Sequence, residues 1–188
     1  MSGLRMSGPL AGATALTACA AEGDAGLGAF ERTLAGHDSA TAGLAQWCAT
    51  HGIADPAALR ALPVPGPAMP PPPDFLRLLA PGPGERLAYR HVRLVCGDKV
   101  LSDAHNWYVP ARLPHAMNQV LETSDVPFGR VVAPLNFTRK SLGSQRGEAG
   151  GCPAGTVLAN RAALYLPGDQ PISAVIECYT AANLALAE

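Results

Sequence analysis

The sequence predicts an α+β fold: an antiparallel β-sheet of about five to six strands with helices packed on one side. Four apolar, strand-like runs form two adjacent pairs, Arg86–Cys96 with Val100–Val109 and Val157–Leu166 with Ile172–Thr180. Each pair is joined by a short turn that contains glycine, which is typical of a β-hairpin. Isolated helical segments lie between and before these pairs, and this order favours the α+β class.

Length and charge limit the classes of function. The chain has 188 residues, which suits one domain with tails. Its formal net charge is −1 and it contains no basic block, so we do not expect nucleic acid as a partner. No apolar run approaches the length of a membrane-spanning helix, so we do not expect an integral membrane segment either.

Residues 1–36 are rich in alanine and glycine and lack a clear period. We therefore expect a signal-like or disordered tail, followed by one domain at 37–188. The segment Leu16–Cys19 has the small-residue pattern that precedes the lipid-bearing cysteine of bacterial lipoproteins, and Arg5 lies before it. Lipidation of Cys19 would place the protein in the periplasm or at a membrane, and without it we expect a cytoplasmic protein.

The five cysteines do not form a metal-binding motif. None belongs to a CxxC pair, and no histidine lies at metal-ligand spacing from a cysteine, so we predict no metal site. If the protein is exported, an oxidising compartment would allow a disulfide such as Cys48–Cys96. In a reducing cytosol, Cys48, Cys96 and Cys178 would instead be small buried apolar residues.

Two helices are expected before the first hairpin. Asp38 or Ser39 can cap a helix that carries one apolar stripe and stops at Gly52. The segment Asp55–Leu62 begins with Asp-Pro and predicts a second, short helix. Pro63–Pro73 contains seven prolines and predicts a stiff linker inside the domain.

The remaining elements follow from local patterns. We expect one helical turn at Asp74–Leu79 and a helix at Pro114–Thr123, with Met117, Val120 and Leu121 on one face. Val131–Arg139 is predicted to be a third strand. The segment 143–155 is rich in glycine and lacks apolar periodicity, so we expect a mobile loop there.

Glu177 is the strongest candidate for chemistry. It lies in an otherwise apolar strand, where Ser173, Val175 and Tyr179 share its face. A carboxylate in this setting is solvent-facing, ion-paired or placed in a cavity. In a cavity, desolvation favours the protonated form, and the group can then act as a general acid or base near neutral pH.

Three arginines and two uncharged side chains are candidates for ligand binding. Arginine binds planar carboxylates through two parallel hydrogen bonds, so the arginines point to an anionic ligand, although a single arginine of this kind is often a surface residue. The sequence alone does not fix the register that would bring these side chains together. The candidates are Asn106, Tyr108, Arg130, Arg139 and Arg161.

Four short motifs occur in the order found in a known family. They are a hairpin that ends in a polar–aromatic strand before proline (Gly97–Pro110), a Pro-apolar-Gly-Arg turn (Pro127–Arg130), a basic residue on the penultimate strand (Asn160-Arg161), and a glutamate after a Pro-containing turn (Gln170–Glu177). With these motifs the chain resembles the chorismate pyruvate-lyase superfamily over roughly Arg86–Leu184.

The resemblance implies a reaction and roles for its residues. The lyases of this family release pyruvate from chorismate without a metal or a cofactor. By resemblance, Glu177 is the general acid/base, Arg130 and Arg161 hold carboxylate, and Asn106 and Tyr108 orient the ring. However, Asn106 stands where the lyases have an arginine, and loss of a charged contact weakens carboxylate binding.

Three functional hypotheses follow. The first is a protein of the chorismate lyase fold that binds a small carboxylated ring molecule (aromatic or chorismate-like); if it is an enzyme, it is a cofactor-free carbon–oxygen lyase that releases pyruvate. The second is a non-catalytic ligand-binding lipoprotein of the cell envelope, since the same fold also forms effector-sensing domains of bacterial regulators. The third is a structural interaction domain without a ligand. Sequence patterns do not define an oligomeric state.

Overall fold

The sheet has six strands in the order β1-β2-β3-β6-β5-β4, and every neighbouring pair is antiparallel. A computed structural model describes the backbone of residues 13–185 and the side chains of residues 24–185. The strands are β1 (Leu59–Pro63), β2 (Ala88–Cys96), β3 (Lys99–Tyr108), β4 (Thr138–Arg146), β5 (Thr156–Leu166) and β6 (Gln170–Thr180).

Five α-helices accompany the sheet in residues 13–185, and together they confirm the predicted α+β class. Single 3-10 turns follow β3, α5 and β6. None of these helices combines the length and apolarity needed to cross a lipid bilayer. The helices are α1 (Ala13–Ala35), α2 (Ala40–Thr50), α3 (Pro73–Leu79), α4 (His115–Thr123) and α5 (Phe128–Val132).

The central pairing of β3 with β6 defines the two faces of the sheet. Asn106 lies opposite Val175, and Ala104 lies opposite Glu177, so these residues share what we call the helix face. Helices α1, α2, α4 and α5 pack on the helix face. The alternate residues, such as Trp107, point to the other face, which α3 covers and which we call the α3 face.

Helix α1 belongs to the folded domain, which corrects the expected boundary at residue 37. Leu27, Phe30 and Leu34 are buried in the core on the helix face. The Phe30 ring meets the rings of Trp47 and Tyr179 edge-on, with centroids 5.0 and 5.2 Å apart. Residues 1–12 lie outside the described part of the chain, and so does the side chain of Cys19. Its lipidation therefore stays a prediction.

The two predicted hairpins, β2–β3 and β5–β6, are confirmed. The predicted helices at α2, α3 and α4 are also present. The Ser39 side chain caps α2 by accepting a hydrogen bond from the backbone N–H of Ala42. This cap fixes the N-terminus of α2 at the helix face.

Local patterns were misleading in two segments. Asp55–Leu62 does not form a helix: Leu59–Pro63 is the edge strand β1, paired with Val92–Cys96 of β2. Tertiary pairing overrides a weak helical signal in so short a segment. The strand predicted at Val131–Arg139 is also mostly wrong: the chain forms the end of α5 and a 3-10 turn up to Leu135, where Pro134 lacks the N–H that a ladder requires. Only its last two residues belong to a strand, β4.

The expected mobile loop at 143–155 is shorter than predicted. Strand β4 continues to Arg146, and only the segment after it is irregular. Eight of the nine β4 residues from Thr138 to Arg146 are exposed, and Arg139 is the exception. An edge strand exposed in this way carries no apolar alternation, so the sequence gives no strand signal there.

Two disulfides connect separate parts of the fold. Cys48–Cys96 joins α2 to β2, and Cys152–Cys178 joins the segment after β4 to β6. The first is the pair expected for an exported protein, and the second was not anticipated. Each cross-link restricts the unfolded chain and so stabilises the fold.

The packing of α1 can be tested with Phe30→Ala. Removing a fully buried ring is expected to lower the free energy of unfolding by about 3 to 5 kcal/mol. The control Arg32→Ala changes an exposed residue of the same helix and should cost less than about 1 kcal/mol. Urea unfolding measures both, and equal losses would contradict a core role for α1.

Candidate functional site

A pocket lies on the helix face, between the N-terminus of α2, helix α5 and the centre of the sheet. Its volume is about 60 Å³. The apolar part of its lining includes Val92, Leu94, Phe128, Leu164 and Val175. The polar part is formed by Ser39, Thr41, Arg90, Asn106, Arg139, Ser173 and Glu177.

A buried ion pair lies in this pocket. Nη2 of Arg139 donates to Oε2 of Glu177 at 2.7 Å, and the Tyr179 hydroxyl donates to the same oxygen at 2.9 Å. Side-chain exposure is 15% for Arg139 and 7% for Glu177. Of the settings considered for this carboxylate, the structure therefore combines two: Glu177 is both ion-paired and part of a cavity wall.

The surroundings keep Arg139 and Tyr179, the two groups that donate to Glu177, in their protonated forms. Burial alone would lower the pKa of Arg139, but Glu177 and Tyr179 act in the opposite direction, and the net shift is upward. Burial raises the pKa of Tyr179 well above its usual value, and the neighbouring Glu177 adds to this effect. Glu177 is thus held as a hydrogen-bond acceptor by two strong donors.

One hydrogen-bond donor of Arg139, its Nε, is not used by the described residues. Its Nε is buried and has no hydrogen-bond partner within the part of the chain that the structure describes. A buried N–H of a charged group without an acceptor is costly, by about 1 to 3 kcal/mol or more. An acceptor placed within hydrogen-bonding distance of this Nε would remove the cost.

Asn106 contributes an amide to the same wall. Its Oδ1 lies within hydrogen-bonding distance of the Ser173 hydroxyl on the adjacent strand. Both side chains are buried, with relative exposures of 6% and 1%. At this position the wall therefore offers a neutral amide and no positive charge.

The N-terminus of α2 closes the pocket opposite the sheet. Ser39, Ala40 and Thr41 line the pocket, and the first amides of a helix lack intrahelical acceptors and favour anions. Helix α5 approaches closely because Gly129 has no side chain: a Cβ there would lie 3.0 Å from Oγ1 of Thr41. The Pro-Phe-Gly-Arg motif therefore serves close packing of α5 against α2.

Arg90 was not anticipated as a pocket residue. Its guanidinium donates to the backbone carbonyls of Ser124 and Val126, between α4 and α5. Burial lowers the pKa of Arg90. The residue lies in β2, a strand of the first hairpin, and the strand pattern does not reveal that its guanidinium binds the segment between α4 and α5.

Three predicted ligand-binding residues do not join the pocket. Arg130 is exposed at the outer side of α5. Arg161 lies on the α3 face, where it pairs with Asp74 at 2.6 Å and covers the ring of Phe75. It cannot reach Glu177 because β5 places Asn160, not Arg161, opposite that residue.

Tyr108 is the third of these residues. It is on the helix face but packs in a separate apolar cluster, with its ring 5.4 Å from that of Phe128. Of the six predicted residues, Asn106, Arg139 and Glu177 therefore come together. The α2 residues and Arg90 complete the site.

A second, more polar cavity adjoins the first. Its volume is about 390 Å³, and Arg139 lines both cavities. The other side chains in its wall include Glu31, His37, Asp38, Ser141, Ser144 and Asn160. Arg139 is thus the residue that the two cavity linings share.

Comparison with known proteins identifies a family. The chain belongs to the same family as the uncharacterized protein y4mC of Sinorhizobium fredii (strain NBRC 101917 / NGR234). The two are 39% identical over 173 residues, which cover 82% of this chain and 73% of the relative. No family model matches the chain.

Solved structures with a similar fold are bacterial regulators. The C-terminal domain of the histidine utilization repressor of Pseudomonas syringae is 16% identical, with a TM-score of 0.48, over 70% of this chain and 97% of that domain. A GntR-family regulator of Enterococcus faecalis is 12% identical, with a TM-score of 0.46, over 67% and 95%. At these identities and TM-scores neither structure says what this chain does, and the lyase resemblance stays a prediction.

The buried ion pair can be tested with Glu177→Gln. The variant leaves Arg139 charged and without a counter-charge, and we expect a loss of about 3 kcal/mol or more in the free energy of unfolding. The control Asp169→Asn breaks the exposed Lys140–Asp169 pair and should cost less than about 1 kcal/mol. Similar losses for both variants in urea unfolding would contradict a buried pair.

Proposed function

We propose that this protein binds a small carboxylated molecule, with the carboxylate held by Arg139. The observation that carries the proposal is the buried Nε of Arg139, which has no acceptor among the described residues and belongs to a side chain at the pocket wall. A ligand carboxylate supplies that acceptor. The guanidinium fork suits it, because adjacent N–H groups bind the two oxygens of a carboxylate in parallel.

The N-terminus of α2 supports the same class of ligand. Residues Ser39–Thr41 line the pocket across from the sheet, and the helix has eleven residues, long enough for a helix dipole. Backbone N–H groups at this position favour a negatively charged group. The helix terminus and Arg139 thus favour the same sign of charge.

The walls favour a ligand with an apolar body. The apolar side chains include Phe128 and Val175, and Asn106 adds one amide that can orient a polar substituent. The pocket of about 60 Å³ is smaller than the cavity of about 150 Å³ that holds benzene in another protein, so a ring requires the neighbouring cavity of about 390 Å³ or a shift of α5. The ligand in our proposal spans both cavities, with its carboxylate at Arg139.

Binding without turnover fits the site better than lyase chemistry. Chorismate carries two carboxylates, and stabilising the reaction needs a positively charged group for each. Arg130 and Arg161, the clamps implied by the lyase resemblance, lie outside the pocket, and Arg90 is occupied by backbone carbonyls. Glu177, engaged by Arg139 and Tyr179, then acts as a positioning residue for the guanidinium.

The binding proposal is tested by thermal shift with benzoate, 4-hydroxybenzoate and chorismate. A ligand at about 100 times its Kd stabilises the native state by about 2.7 kcal/mol, so the Tm of the wild type should rise. The double variant Arg139→Gln/Glu177→Gln removes both charges together and should abolish the shift. The control Arg161→Gln, which lies on the α3 face, should keep it.

Two results would contradict the binding proposal. One is the absence of a Tm shift with every carboxylate of the panel. The other is an equal loss of the shift in the double variant and in Arg161→Gln. Pyruvate is measured in the chorismate samples at the same time: its release by the wild type but not by Glu177→Gln would favour the lyase instead.

Two disulfides favour the envelope lipoprotein as the cellular setting. Such bonds persist in oxidising compartments, and Cys48, Cys96, Cys152 and Cys178 all take part in one. These are the four cysteines that would remain, together with Cys19, after cleavage before Cys19. Among the α1 side chains that the structure describes, from residue 24 on, the first buried one is Leu27, so such cleavage leaves the described core intact.

Mass spectrometry of the protein from its native host tests this setting. We expect an N-terminus at Cys19 with an added lipid mass, and membrane association that Cys19→Ser abolishes. An intact chain that begins at Met1 in the soluble fraction would contradict it. The disulfide state of the same sample provides an independent control for the compartment.

A further inference from the structure

A second group of chemically active side chains lies on the α3 face, away from the carboxylate pocket. His91 of β2 and His105 of β3 are direct partners in the antiparallel register, and their rings stack with centroids 4.1 Å apart. Asp103 precedes His105 by two residues on β3 and so shares its face. The pairing of β2 with β3 thus places two imidazoles and one carboxylate side by side.

The contacts within this group are short. Oδ1 of Asp103 is 2.7 Å from Nε2 of His91 and 3.5 Å from Nε2 of His105. The three ligand-type atoms all lie within 4.8 Å of one another. Asp103 and His105 are buried, with relative exposures of 8% and 5%.

We propose that His91, Asp103 and His105 bind a divalent transition-metal ion, with Zn²⁺ as the representative case. Two imidazole nitrogens and one carboxylate oxygen form a ligand set that such ions prefer. Metal–ligand bonds of about 2.0 Å in a tetrahedral site place ligand atoms about 3.3 Å apart. The 3.5 Å between Asp103 and His105 fits this value. The 2.7 Å between Asp103 and His91 must lengthen by about 0.6 Å when the metal binds.

A metal-binding histidine usually forms a hydrogen bond through its second ring nitrogen, and Tyr89 is placed to form it with His105. Its hydroxyl lies 2.7 Å from Nδ1 of His105. When Nδ1 is the N–H donor in this contact, Nε2 carries the lone pair and points to the carboxylate. The ring of Tyr89 also packs against Trp107, 5.4 Å away, and this packing holds the hydroxyl in place.

Three protein ligands leave one coordination position open. His91 is the most exposed of the three, with 23% of its side chain accessible, so this position faces the solvent side of the group. Arg93 lies there too, with its Nε 3.4 Å from Oδ2 of Asp103. Its charge opposes a cation, but 56% of its side chain is exposed, so it can turn away or pair with an anionic fourth ligand.

The test is calorimetric titration of the full chain with Zn²⁺, after chelator treatment and without an affinity tag. A Cys19→Ser background removes the fifth cysteine as an alternative ligand, since the other four form disulfides. We expect one equivalent to bind. Removing a ligand in His91→Gln or Asp103→Asn should weaken binding by more than about 100-fold, and Tyr89→Phe by about 10-fold or more.

His115→Gln is the matched control, because His115 is an exposed histidine at the start of α4. The affinity of this variant for Zn²⁺ should equal that of the wild type. Circular dichroism shows whether each variant is folded. If Asp103→Asn unfolds, His91→Gln still tests the proposal, because His91 is only partly buried and its replacement disturbs the fold less. Absence of binding by the wild type, or unchanged affinity in His91→Gln, would overturn the proposal and leave a hydrogen-bonded triad. Co²⁺ absorption that is lost in the same variants would confirm the ligand set.

Discussion

The antiparallel pairing of β3 with β6 is the constraint on which the rest of the molecule depends. It joins the two hairpins into one sheet and fixes which side chains meet across its centre. In this register Asn106 and Glu177 face the helices, while His105 and Trp107 face α3. A slip of one residue would exchange the two sets and destroy both candidate sites.

The helix face combines a rigid core with a charged pocket. Phe30, Trp47 and Tyr179 pack together at one end, and the Tyr179 hydroxyl reaches Glu177 at the pocket. The pair of Glu177 with Arg139 joins the central strand β6 to the edge strand β4. A buried pair is weak evidence for stability by itself, but an arginine held in this way is already oriented for an anion.

The α3 face has a different chemistry. Its donors come from two adjacent strands of one hairpin, so their spacing depends on local pairing and not on the contacts of the helices. The two sites are separated by the thickness of the sheet. A ligand bound on the helix face therefore shares no side chain with the group formed by His91, Asp103 and His105.

The sequence by itself determined the α+β class, the two hairpins and helix α2 with a cap at Asp38 or Ser39, and it offered six candidate site residues. These features depend on local periodicity and capping, which involve residues close together in the sequence. The structure selected Ser39 as the cap and brought Asn106, Arg139 and Glu177 to one pocket. Only the tertiary structure decided that Arg161 lies on the other face and that α1 belongs to the core. Strand register and long-range burial depend on residues that are far apart in the chain. For the same reason, no local pattern predicts the contact of His91 with Asp103 or the disulfide between Cys152 and Cys178.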